Sequence, residues 1–162
     1  MKTFTDLQEG VYDPNILKAF FLAGGPGSGK SYVVQRTTGG MGMRIVNSDI
    51  EFEKKLKDAG LSLDIRELDP TVRDEIRGRA KKITAKRKAN YIEGRLGLII
   101  DGTGKDFDKI KNQSTRLKQL GYDVHMIFVN TSLDTALAQN AKRPRKLPDS
   151  MEHNYGMMCK KI

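Results

Sequence analysis

The segment Phe20 to Ser31, FFLAGGPGSGKS, passes from an apolar run straight into glycines and closes on Lys-Ser. Few architectures accept such a segment. A buried strand must exit into a loop whose backbone N–H groups surround an anion, and the helix that follows must point its positive end into the same hollow. Gly24, Gly25, Gly27 and Gly29 allow backbone angles and close approaches that a side chain would block. The order of residues fits G-x-x-x-x-G-K-[ST], a cradle for a phosphate chain. In it Gly25, Gly27, Ser28 and Gly29 line the hollow, Lys30 reaches the terminal phosphates and Ser31 holds Mg²⁺. The pattern leaves open whether the phosphate is hydrolysed, transferred or held.

A chain of 162 residues reads as one domain over 1–162, with an N-terminal extension over 1–18 and a lid over 139–148. No stretch is long and apolar enough to cross a membrane, and the start, MKTFTDLQEG, lacks the apolar centre of a secretion signal. A cytoplasmic protein is expected. The single cysteine, Cys159, cannot form an internal disulfide and reads as a spare residue. Lys and Arg number 29 against 20 Asp and Glu, a net charge of +9, which favours phosphate-rich partners. Much of that excess lies between Arg77 and Lys88, where a solvated basic helix face is preferred over a dedicated nucleic-acid surface.

Strands and helices alternate, the pattern of an α/β fold built on a parallel sheet. Strands are expected at Ala19 to Ala23, Met43 to Val46, Leu96 to Asp101 and Val124 to Val129. Helices are expected from Lys30 to Thr37, from Asn47-Ser48-Asp49 to Ala59, from Thr71 to Glu93, through Phe107 to Gly121, and from Thr131 or Ser132 past Asn140. In the fourth of these, Phe107, Ile110, Ser114 and Leu117 share one face. The region Leu61 to Pro70 has no clear period, and reads either as a substrate-facing loop or as a connection.

Open α/β sheets bind ligands at the carboxyl ends of their strands, so the polar residues there carry the chemistry. Asp49 follows the second strand. Its carboxylate can take the proton of an attacking hydroxyl or can cap the next helix, a task Ser48 could perform instead. Asp101 ends the third strand as an acid that binds Mg²⁺ directly or through water; bonding to the Ser31 hydroxyl or to nearby backbone is compatible with that role. Beyond Gln139 and Asn140 comes Ala141-Lys142-Arg143-Pro144-Arg145-Lys146-Leu147-Pro148, a helix breaking into a basic loop. Solvation explains the charge, and so does a mobile lid that brings an arginine over a transferring phosphate, with Arg143 the first choice and Arg145 the second.

These residues carry a resemblance. GGPGSGKS, then IVNSD, LIIDGTG, VHMIFVN and a helix ending in QNAKR with LP downstream resemble the polynucleotide kinase and zeta-toxin group of P-loop kinases, from about Phe20 to Pro148. The resemblance implies a P-loop NTPase fold with a parallel sheet of about four strands flanked by helices and a basic lid. It also implies an ATP- and Mg²⁺-dependent kinase that moves the γ-phosphate to a hydroxyl acceptor, a nucleic-acid 5′ end or a related nucleotide, with a nucleotide sugar or other small molecule as the alternative. Outside that class stands a nucleotide-dependent binding module that transfers nothing. In the family the residue matching Asp49 is the base and the residue matching Arg143 is the lid arginine. Glu51 and Phe52 follow Asp49 where polynucleotide kinases commonly carry an arginine that helps hold the acceptor phosphate, and Gln139 stands where a basic residue is often found.

Overall fold

The computed structural model describes residues 16–38 and 41–142. Strand β1 (Lys18–Ala23) leads into α1 (Lys30–Thr38), and β2 (Arg44–Val46) into α2 (Ser48–Asp58) and α3 (Pro70–Glu93). Strand β3 (Leu98–Asp101), α4 (Phe107–Gln119), β4 (Asp123–Phe128) and α5 (Leu133–Ala141) complete the described elements. The four strands form one parallel sheet in the order β2-β3-β1-β4, flanked by helices as the alternating pattern requires.

Side-chain alternation sorts the core onto the two faces of the sheet. Ala19 and Phe21 of β1 pack with Val46, Leu98, Leu117 and Tyr122 on one face, beneath Tyr91 and Ile92 of α3 and Ile110 of α4. Leu22 and Ile99 pack with Val34 of α1 on the other. A separate cluster of Phe52, Leu56, Ile65 and Ala80 joins α2 to α3. Leu61, Leu63 and Leu68 pack on it, so the segment between α2 and α3 is a packed connection rather than a substrate-facing loop.

Local chemistry accounts for the helix starts. Asp69 caps α3, accepting from Thr71 N at 2.8 Å and Val72 N at 3.1 Å ahead of Pro70. Those bonds hold its carboxyl below the usual range. Ser132 rather than Thr131 caps α5. Asn47, and neither Ser48 nor Asp49, caps α2, with its side-chain oxygen accepting from Asp49 N at 2.7 Å. The expected shared face of α4 holds for Ile110, Ser114 and Leu117, but Phe107 is 71% exposed. It is the first helical residue, ahead of the turns that pack on the sheet. Strand β3 begins at Leu98 rather than Leu96, because Leu96 bridges antiparallel to Ile16.

Candidate active site

The register of the sheet assembles the site. Leu22 pairs with Asp101, and Val46 with Ile100, so β1, β2 and β3 end side by side. The glycine loop leaves β1, Asn47 follows β2, and Asp101 is the last residue of β3. Asp101 shares strand parity with Ile99, which packs on Val34, so it lies on the face that α1 covers.

The loop is shaped for close approach. Gly27 has φ +75°, and a Cβ there would stand 2.1 Å from the carbonyl oxygen of Ala136 in α5. Only glycine permits that contact between loop and helix. Gly29, at φ +88°, meets nothing nearer than Gln139 Oε1 at 3.9 Å, so its requirement is conformational rather than steric. Lys30 Nζ donates to Gly24 O and Gly25 O, both at 2.8 Å, and so folds its charge back over the loop. The Ser28 hydroxyl is buried and makes no hydrogen bond among the described residues. A phosphate oxygen entering the loop would supply the missing partner.

Asn47 links the second and third strands at this edge. While its oxygen caps α2, its Nδ2 donates to Asp101 Oδ2 at 2.7 Å. Both ends of one amide are thereby used. Ser31 is exposed at the start of α1 and Asp101 ends β3; hydroxyl and carboxylate oxygens are ligands of the kind Mg²⁺ takes. No group of three or more His, Cys, Asp or Glu able to hold a metal occurs among the described residues.

Asp49 is the second residue of α2 and does not cap it. It accepts an ion pair from Arg77 Nη1 of α3 at 2.6 Å, with the two side chains 38% and 32% exposed. The Arg77 guanidinium also lies 5.1 Å from the centre of the Phe52 ring. No arginine occurs within a turn after Asp49 in the sequence; the fold brings one from α3 instead. Arg87 pairs with Glu51, which is buried, and this fastens the two helices a second time. Arg143 and Arg145 lie outside the described residues, as do Cys159 and most of the expected lid.

The model of the zeta toxin family matches residues 5–150. This chain belongs to the zeta toxin family. Solved structures with the same fold include the Pnkp1/Rnl/Hen1 RNA repair complex, at TM-score 0.64 and 18% identity over 90% of this chain. The PezAT chromosomal toxin-antitoxin system of Streptococcus pneumoniae is similar at TM-score 0.57 and 18% identity over 76% of the chain. A Chloroflexus aurantiacus protein, provisionally described as a kinase, is similar at TM-score 0.60 and 16% identity over 80% of the chain, and 68% of its own length is covered. This zeta-toxin family member spans 44% of the RNA repair chain and 51% of the PezAT chain. No curated protein sequence matches it. The P-loop kinase fold and the family together support a phosphotransferase in general terms. Among the described residues no helix is long and apolar enough to cross a membrane.

Proposed function

We propose that this zeta-toxin family member is a cytoplasmic, ATP- and Mg²⁺-dependent phosphotransferase whose acceptor is a 5′-hydroxyl of nucleic acid or a related nucleotide. The observation that carries the reading is Asp49, which does not cap α2 because Asn47 does, and which Arg77 of α3 holds just past the carboxyl end of β2.

In this reading Gly25, Gly27, Ser28 and Gly29 cradle the donor phosphates with backbone N–H groups and the Ser28 hydroxyl. Lys30 turns from the Gly24 and Gly25 carbonyls onto the terminal phosphates. Ser31 and Asp101 would hold Mg²⁺, which when bound would supply charge neutralisation on the phosphate oxygens. The acceptor hydroxyl gives its proton to the Asp49 carboxylate while its oxygen bonds to the γ-phosphorus. The bond from that phosphorus to the bridging oxygen breaks, and the electron pair leaves with ADP. Arg143, or Arg145 as the second choice, is the arginine that neutralises the transferring group. Arg77, already beside the base, holds an anionic group of the acceptor next to the reacting hydroxyl.

Family membership favours a second acceptor, a nucleotide sugar or other small molecule, on the same machinery. Both acceptors are tested in one assay of label transfer from γ-labelled ATP with Mg²⁺, using Lys30→Ala as control. Label on a 5′-hydroxyl oligonucleotide, lost in the control, supports the first reading. Label on a nucleotide sugar alone moves the acceptor to the second. Tight ATP binding without label on any acceptor contradicts both, and leaves a nucleotide-dependent binding module.

A further inference from the structure

The basic run on α3 divides into two populations. Arg77, Arg79 and Arg87 are neutralised by Asp49, Glu75 and Glu51. Lys81, Lys82, Lys86 and Lys88 enter no ion pair among the described residues, and the bond Lys88 makes is to a neutral group, Gln113 Oε1 of α4 at 2.7 Å. On α4, Lys109, Gln113 and Arg116 recur at i, i+4 and i+7, so they share the face that Lys88 meets. Three cations therefore gather on the seam between α3 and α4 around one neutral amide. Burial, with Lys109 and Arg116 adding like charge, pushes Lys88 below the ordinary lysine range. Such a cluster is unfavourable until an anion enters it.

One stripe of α3 joins this seam, at Lys88, to the α2–α3 contact at Arg77. Arg77, Lys81, Thr84 and Lys88 recur at i, i+4, i+7 and i+11, a single stripe of α3. Lys88 stands about 16 Å along the helix from Arg77, the partner of Asp49. We propose that the α3–α4 seam at Lys88, Lys109 and Arg116 binds the phosphate backbone of a single-stranded nucleic acid whose end lies at Asp49. This rests on the reading of the acceptor as nucleic acid and goes beyond it, because a mononucleotide is too short to reach the seam. A protein partner is disfavoured by composition, since lysine is depleted from the cores of protein interfaces. No base-reading contact is required, so binding is independent of sequence and weakens with salt.

The test is fluorescence anisotropy of a short labelled oligodeoxythymidylate against the full chain across a salt series. The wild type should bind, and Lys88→Gln/Lys109→Gln/Arg116→Gln should lose about tenfold or more in affinity at low salt and flatten the log–log salt slope by about 2, near 0.7 for each phosphate contact. A control, Lys54→Gln/Lys57→Gln/Lys82→Gln, removes equal charge from exposed positions elsewhere and should change binding little. Lys109 and Arg116 are exposed, so the double variant of those two carries the test if the triple does not fold. Equal losses in both triples, or no binding by a wild type that still binds ATP, would overturn the seam. Capture of an acidic protein with no affinity for the oligonucleotide would overturn it too. Oligonucleotide binding that survives in Lys30→Ala supports the seam whether or not transfer occurs. Transfer to small acceptors by a protein that ignores oligonucleotides sinks the seam and leaves the phosphotransferase standing.

Discussion

Arg77 Nη1 stands 2.6 Å from Asp49 Oδ1, an ion pair that joins the first turn of α2 to α3 at the carboxyl edge of the sheet. Both side chains are about one-third exposed, so the pair contributes little to stability, about 1 kcal/mol or less. Its value is positional. Arg77→Ala should leave the melting temperature almost unchanged and ATP affinity intact, and raise KM for an anionic acceptor more than it lowers kcat. Steady-state kinetics with acceptor and ATP varied separately check this; a matching rise in KM for ATP would place Arg77 on the donor instead.

Asn47 couples two strands through one amide, capping α2 and donating to Asp101. Asn47→Ala loses a cap worth about 1 kcal/mol and a bond to a charged acceptor worth about 1.5–3 kcal/mol, so about 2.5–4 kcal/mol of stability should go. Asn47→Asp keeps a capping oxygen but sets a carboxylate against Asp101. Chemical denaturation should rank it below wild type at neutral pH, and the gap should narrow as acid protonates the pair.

The strand-to-loop-to-helix passage at Phe20 to Ser31 was legible because its information is local: glycine spacing, apolar run and Lys-Ser lie within one segment. The α/β pattern and the parallel sheet followed from alternation alone. Arg77 was not legible as the partner of Asp49, because the contact is made by packing α2 on α3 through Phe52, Leu56 and Ala80, and nothing in the sequence near Asp49 announces it. Asn47 could have been found: an asparagine directly before the first helical residue is a cap signal, and it stood in IVNSD. Phe107 was misplaced because helical periodicity gives an angle and says nothing of where the helix begins to touch the sheet.

The glycines of the loop differ in what they tolerate. Gly27→Ala drives a methyl into the Ala136 carbonyl and also strains a φ of +75°, so a loss of several kcal/mol, or displacement of α5, is expected. Gly29→Ala meets open space and strains only the backbone, at about 1–2 kcal/mol. Denaturation midpoints should separate the two, with Gly27→Ala the less stable; equal midpoints would mean that α5 does not press on the loop.

Burial pushes the Tyr122 phenol above its ordinary value, with Arg95 opposing in part. The folded chain therefore holds that proton more tightly than the unfolded chain. Its contribution is complete below about pH 10 and is lost as pH rises through the folded value. Tyr122→Phe gives up the hydrogen bond to Leu96 O, about 1 kcal/mol, and should flatten the alkaline fall in stability. A wild type and variant with parallel alkaline limbs would assign that fall to other groups.

The central claim is that Asp49 takes the acceptor proton, and the most direct measurement is the γ-phosphate transfer rate of Asp49→Asn beside its ATP affinity. The variant keeps the shape of the side chain and, through Asn47, the start of α2. Transfer should fall about 10²–10⁴-fold while ATP binds as in wild type, since the carboxylate serves the acceptor rather than the donor. A variant that transfers phosphate at the wild-type rate would contradict the assignment.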